Sequence, residues 1–170
     1  MAREDRLARI IRAELDQMPC PIRCCTIAEL KARPEMLDRS VVCGHLSIAS
    51  ELIALVPPGQ SVLILRYNVP QDCVARIRGL KQASQIALVS ISPHVLETAR
   101  LVFSPHVGSI HLVREHVVAE PVRLSGLRAD LIFCDWIVYQ SLSERDRQRF
   151  VLHRIVSEES AGQIRAALDA

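Results

Sequence analysis

Val41-Val-Cys-Gly-His45 and Leu131-Ile-Phe-Cys-Asp-Trp136 hold the same place in two copies of one pattern. Each is a short apolar run with a cysteine near its end, the composition of a strand covered on both faces in a parallel sheet. Working outward, the first copy runs from the helical stretch Arg6–Leu15 through Cys43 to the Arg78 region. The second runs from Val95–Phe103 through Cys134 to the Arg165 region. Each copy reads helix, strand, helix, strand, helix, strand, helix. Strands alternating with helices at this spacing mean parallel β-α-β units with right-handed crossovers. The expected fold is therefore α/β, with two pseudo-symmetric Rossmann-like or flavodoxin-like lobes from an internal duplication. Residues 1–84 form the first lobe and residues 85–170 the second, with a small-molecule cleft between them.

In the first lobe, Leu7, Ile10, Ile11 and Leu15 line one face of a helix that Pro19 and Pro21 end. Residues 22–27 read as a short strand, 28–37 as a helix and 40–45 as a buried strand ending at a glycine. Ser47 caps a helix that Pro57-Pro-Gly59 breaks, and Ser61-Val-Leu-Ile-Leu-Arg66 is a near-continuous apolar strand. A helix over 71–82 leads out. The second lobe opens on the strand 85–91, followed by Ser92-Pro93, an N-cap with proline at the first helical position. Strands at 109–117, 130–137 and 150–155 follow, with helices around 121–127 and 143–149 and a last one capped at Ser157. The first lobe lacks a matching opening strand, so the chain is expected to be a fragment of a longer protein.

The composition excludes several classes. With 49% apolar and 24% charged residues the chain is globular, and 21 basic against 19 acidic residues create no strong polyanion-binding field. Of the six cysteines, Cys20, Cys24 and Cys25 cluster without a C-x-x-C pair, and Cys43, Cys73 and Cys134 fall in or beside apolar segments. That is the usage of reduced core thiols in a cytoplasmic protein, with neither metal nor disulfide expected. The N-terminal stretch has no signal-peptide pattern and no apolar run approaches the roughly 20 residues of a membrane span. No G-x-G-x-x-G and no G-x-x-x-x-G-K-[ST] occurs, so no nucleotide cofactor is expected.

Ligands of parallel sheets meet the carboxyl ends of the strands and the helix starts beside them. That rule selects Cys43, Gly44, His45 and Ser47, then Tyr67 and Asn68, in the first lobe. In the second it selects Ser90, Ser92 and His94, then Asp135 and Trp136, then Arg154 and Ser157. The helix start at Ser92-Pro-His94 suits an anion, or is a plain N-cap. Arg66 and Arg154, near-equivalent on the last strand of each lobe, could clamp a carboxylate or phosphate or pair at the surface. The symmetric cysteines permit an alternative, a cofactor-independent racemase or isomerase with Cys43 and Cys134 as acid and base. His45 and Asp135 beside them would be activating partners. Buried strand cysteines explain the same pattern.

Leu55-Val-Pro-Pro-Gly59 followed by Val62-Leu-Ile-Leu-Arg66, Ile86-Ala-Leu-Val-Ser-Ile-Ser-Pro93 followed by Leu96-Glu-Thr-Ala-Arg100, and Ala129-Asp-Leu-Ile-Phe133 give the chain a layout found elsewhere. It resembles the effector-sensing domain of GntR-type bacterial transcriptional regulators and, more distantly, two-lobed periplasmic-binding-protein-like sensors. The resemblance implies a ligand-sensing homodimer whose effector is a small anionic metabolite. It implies DNA contact only through a separate winged-helix domain of a longer parent protein, since these 170 residues contain no helix-turn-helix.

Overall fold

The computed structural model describes residues 3–16, 18, 21–60, 62–67, 70–119, 124 and 126–169. The elements are α1 (Arg3–Leu15), α2 (Ile27–Ala32), β1 (Val42–His45), α3 (Ala49–Leu55), β2 (Val62–Leu65), α4 (Gln71–Arg78) and β3 (Gln85–Ser90). There follow α5 (Pro93–Phe103), β4 (Leu112–Val117), β5 (Leu131–Cys134), α6 (Trp136–Ser141), α7 (Glu144–Arg147), β6 (Phe150–Leu152) and α8 (Glu158–Leu168). The strands form two all-parallel sheets, β1-β2 and β4-β3-β5-β6. The chain is α/β, as its alternation of strand and helix patterns implies.

Period-two alternation builds the larger core. On β3, Ala87 and Val89 face one side with Ile132 and Cys134 of β5, while Ile86 and Leu88 face the other with Leu131 and Phe133. The first side is covered by α1 through Ile10 and by α6 through Val138. The second is covered by Cys73 and Ile77 of α4 and by Leu96, Ala99 and Phe103 of α5. Helices on both faces explain why Ile86–Val89 of β3 and all of β5 are buried and apolar, with Gln85 and Ser90 the polar ends of β3. By contrast, β4 lies at the sheet edge and carries the charges of Arg114 and Glu115, which discourage edge pairing.

The small sheet is joined to the large one. Tyr67, just past β2, makes an antiparallel bridge to Val156, and the backbone N–H of Arg66 donates to Ser160 Oγ of α8 at 3.1 Å. Leu65, Val156, Ile164 and Leu15 close a core across this seam. On the far side, Leu30, Leu37, Val42 and Leu52 pack together.

Local structure departs from the sequence expectation at two informative places. Residues 21–26 form no strand, because Thr26 closes a capping box with Glu29 and so commits its backbone to the start of α2. The strand expected over 130–137 stops at Cys134, where Asp135 takes the N-cap of α6 and accepts from Val138 N. The first half thus has two strands among its described residues and the second half four. The expected helix over 121–127 lies largely outside the described residues.

Gly44, expected from sequence to line a ligand site, is a packing residue here. A Cβ at this buried position would collide with the side chain of Leu52, which is itself core. Gly44→Ala is therefore expected to cost about 1–3 kcal/mol through overpacking, measured as a lower urea midpoint at unchanged slope.

Candidate functional site

In chain order the large sheet runs second, first, third, fourth strand, as in a flavodoxin-like half, so its direction of winding reverses between β3 and β5. The carboxyl ends of those two strands are tied together by one buried carboxylate. Asp135 Oδ2 accepts from Ser90 Oγ at 2.6 Å and from Ile91 N at 3.0 Å, and its Oδ1 accepts from Val138 N at 2.9 Å. Ser90 Oγ in turn accepts from Ser92 N at 3.0 Å. Burial pushes the Asp135 carboxyl up, while the hydrogen bonds from Ser90, Val138 and Ile91 pull it back.

Ser92 stands at the N-cap of α5 but its side chain does not cap. Its hydroxyl is fully buried and has no hydrogen-bond partner among the described residues. A buried, unsatisfied hydroxyl costs free energy that a ligand accepting from it would recover.

His94, two residues further on, meets the small sheet. The His45 ring at the end of β1 lies 5.7 Å from that of His94 and 4.6 Å from that of Tyr67, edge-on to both. His45 Nδ1 accepts from Ser47 N at 3.3 Å and lies 3.1 Å from Ser47 Oγ. A ring that accepts at Nδ1 carries its proton on Nε2, which is buried and without a partner. Burial, with His94 adding to it, pushes the His45 pKa down, so the ring is a neutral donor. Burial pushes the Tyr67 hydroxyl up.

Across these strand ends lies α1. Arg6 Nη1 donates to Ile91 O beyond β3 at 3.0 Å. Two turns later Glu14 accepts from Ile155 N at 2.9 and 3.1 Å and from Val156 N at 2.8 Å, beyond β6. Between them Ile10 is wholly buried, and Ile11 borders the hollow beside His45 and Tyr67. The chain's own first helix therefore fills the space over the winding reversal. Burial raises Glu14 to about 7 against the bonds from Val156 and Ile155 and the nearby Arg154 charge.

Arg154, past β6, lies 4.9 Å over the Trp136 ring. Ser157 caps α8, accepting from Ser160 N at 3.0 Å. Cys134 is buried in the larger core, where burial, then Asp135 and Cys73, raise its thiol far above the ordinary value. That is the opposite of the depression that makes a thiolate nucleophile. Cys43 is half-buried in a different cluster, with Leu65 and Val156. No group of three or more His, Cys, Asp or Glu among the described residues could hold a metal. No helix among them is long and apolar enough to cross a membrane.

Of the residues expected from sequence, Ser90, Ser92 and Asp135 come together, as do His45, Tyr67 and His94, and Trp136 with Arg154. Asn68 lies outside the described residues. Glu14 and Arg6 were not anticipated. A signal for Glu14 was present, since Leu7, Ile10, Ile11, Glu14 and Leu15 form one helical stripe and a carboxylate on a buried stripe needs donors. No protein-family model matches the chain, and no curated protein or solved structure matches it significantly.

Proposed function

We propose that the chain is a small-molecule effector-sensing domain of GntR type that takes an anionic metabolite at the carboxyl ends of β3 and β5. The reading is carried by the fully buried, unpartnered hydroxyl of Ser92 at the start of an eleven-residue helix, at the reversal of winding. The His45 Nε2 donor adds a second unsatisfied group beside His94. An anion drawing on these donors must displace or shift α1, so binding would be coupled to the docking of that helix. In a cytoplasmic regulator, dimeric through this domain, such coupling would reach a DNA-binding head carried elsewhere in the parent protein.

The duplication belongs to the same proposal. The segment β1-α3-β2-α4 has the layout of β5-α6-α7-β6-α8, a parallel pair followed by a helix. On this view Cys43 and Cys134 are counterparts, paired with Leu63 of β2 and Leu152 of β6, and the sensor arose by doubling a two-stranded unit; Arg66 and Arg154 then lie one residue out of step.

The test is a thermal-shift and calorimetric screen of carboxylates and phosphate esters. At least one anion is expected to bind the parent chain and to lose about tenfold or more in affinity in Ser92→Ala and in His94→Ala. Ser92→Ala should itself leave stability unchanged or raise it by up to about 1 kcal/mol, because it removes an unsatisfied buried hydroxyl. Ser90→Ala, which breaks two bonds, should lose about 1–3 kcal/mol. An anion that binds Ser92→Ala as tightly as the parent would sink the proposed site.

A further inference from the structure

A second hollow, of about 160 Å³, opens between the last turn of α1, the chain just past β6 and the exposed face of α8. Its charged lining is Glu14, Arg154, Glu158 and Arg165, two carboxylates and two guanidiniums. No ion pair joins any two of them among the described residues. Opposite charges that share a hollow without closing on each other leave room for a ligand to separate them. Two are held in place independently of any ligand. Arg154 rests on the Trp136 ring, and Glu14 is fixed by the backbone donors Ile155 and Val156. Those bonds use both sites of Oε2 and one of Oε1, leaving one lone pair on Oε1 that can still accept.

The balance of charge selects the ligand. Above about pH 7, where Glu14 is ionised, an anion would meet two carboxylates and a cation two guanidiniums, whereas a zwitterion finds a partner for each of its ends, so the discriminating titration is run at pH 8. Leu15, Met18 and Ala161 supply an apolar wall between the charged groups. The volume suits a molecule of few heavy atoms, since one water needs only about 10–15 Å³ of such space. We infer that this hollow binds a free aliphatic α-amino acid, its carboxylate on Arg154 and Arg165, its ammonium on Glu14 and Glu158, and its side chain against Leu15 and Met18.

This site shares the helix α1 with the one over β3 and β5 but none of that site's donors, and with α1 docked it stands whether or not that one binds an anion. Isothermal titration of the full chain with L-leucine, 4-methylpentanoate, 3-methylbutylamine and inorganic phosphate tests it. L-leucine should bind, and the acid and the amine, each lacking one charged end, should bind at least about tenfold more weakly. Glu158→Gln and Arg165→Gln alter exposed side chains, so each should keep the parent melting temperature while weakening L-leucine about tenfold. Ser92→Ala should bind L-leucine like the parent, which separates failure here from failure of the anion site. The inference is overturned if L-leucine gives no saturable heat, if either single-charge analogue or phosphate matches it, or if both variants retain parent affinity.

Discussion

Asp135→Ala is expected to destabilise the fold by about 3–5 kcal/mol, from three donors at about 1–3 kcal/mol each less the relief of a buried carboxylate, seen as a large fall in the urea midpoint. The carboxylate accepts from three separate donors, Ser90 Oγ, Ile91 N and Val138 N, and is almost wholly buried. Removing it leaves those donors in a site that water reaches poorly, so the loss includes their desolvation and the cap of α6. Against the roughly 5–15 kcal/mol of an ordinary domain, that is a substantial share. Asp135→Asn separates hydrogen bonding from mere occupancy. Its single oxygen can still cap Val138 N, but its amide then confronts the Ile91 N–H donor, and Ser90 must turn from donor to acceptor. A cost of about 1–3 kcal/mol is expected for Asn. A loss under about 1 kcal/mol in Asp135→Ala would show that the link between the ends of β3 and β5 does not hold the fold together.

Asp135 also marks how far the sequence could be read. The strand-end rule placed Ser90, Ser92, His94, Asp135, Trp136 and Arg154 near the carboxyl ends of their strands, and the structure brings most of them into contact in twos and threes. The rule finds strand ends because it needs only strand order and direction, which alternation of apolar runs and helices conveys. It fails at boundaries. Trp136-Ile-Val-Tyr139 is as strand-like as Leu131-Ile-Phe133, and the bonds that Asp135 accepts from Val138 N and Tyr139 N start a helix instead. Residues 22–27 fail for the same reason, a cap at Thr26 prevailing over strand-like composition.

What no local pattern conveys is where α1 goes. Its amphipathic stripe announced that it would be buried, but against what depends on two tertiary anchors, Arg6 to Ile91 O and Glu14 to the backbone beyond β6. Both partners are backbone groups more than eighty residues away, and backbone groups leave no mark in a sequence. In this structure α1 lies across the carboxyl ends of the large sheet, tied to the chain beyond β3 and beyond β6.

Stability is expected to change little between about pH 4.5 and 6.5 because two buried groups oppose each other there, and single substitutions should expose each slope. Burial raises Glu14 to about 7 in the fold against 4.5 for an ordinary glutamate, with Arg154, Asp135 and Tyr67 nearby and Glu158 and Arg165 across the hollow it lines. Between those values the folded chain holds a proton that the unfolded chain has released, so Glu14 makes stability fall as pH rises from 4.5 to about 7. His153, buried against Phe103, is pushed by burial down to about 4 from 6.5. Here the unfolded chain holds the extra proton, so His153 makes stability fall as pH drops from 6.5 to about 4. Each shift corresponds to roughly 3 kcal/mol. Asp135 is shifted in the same sense as Glu14, and His45 in the same sense as His153. In Glu14→Gln the amide oxygen can still accept from Val156 N, its NH2 facing the Ile155 N–H takes back part of the gain, and no charge is buried. Stability at pH 8 should therefore rise by about 2 kcal/mol, and acidification from pH 6.5 should now destabilise the chain plainly. His153→Leu should show the reverse, gaining stability as pH falls from 7 to 4.5. Urea midpoints at four or five pH values for the three proteins decide the matter. Parallel curves would mean that neither group titrates out of register with the unfolded chain. If Glu14→Gln instead loses stability at pH 8, the charged carboxylate is a net anchor for α1, and the charge itself holds the helix across the strand ends.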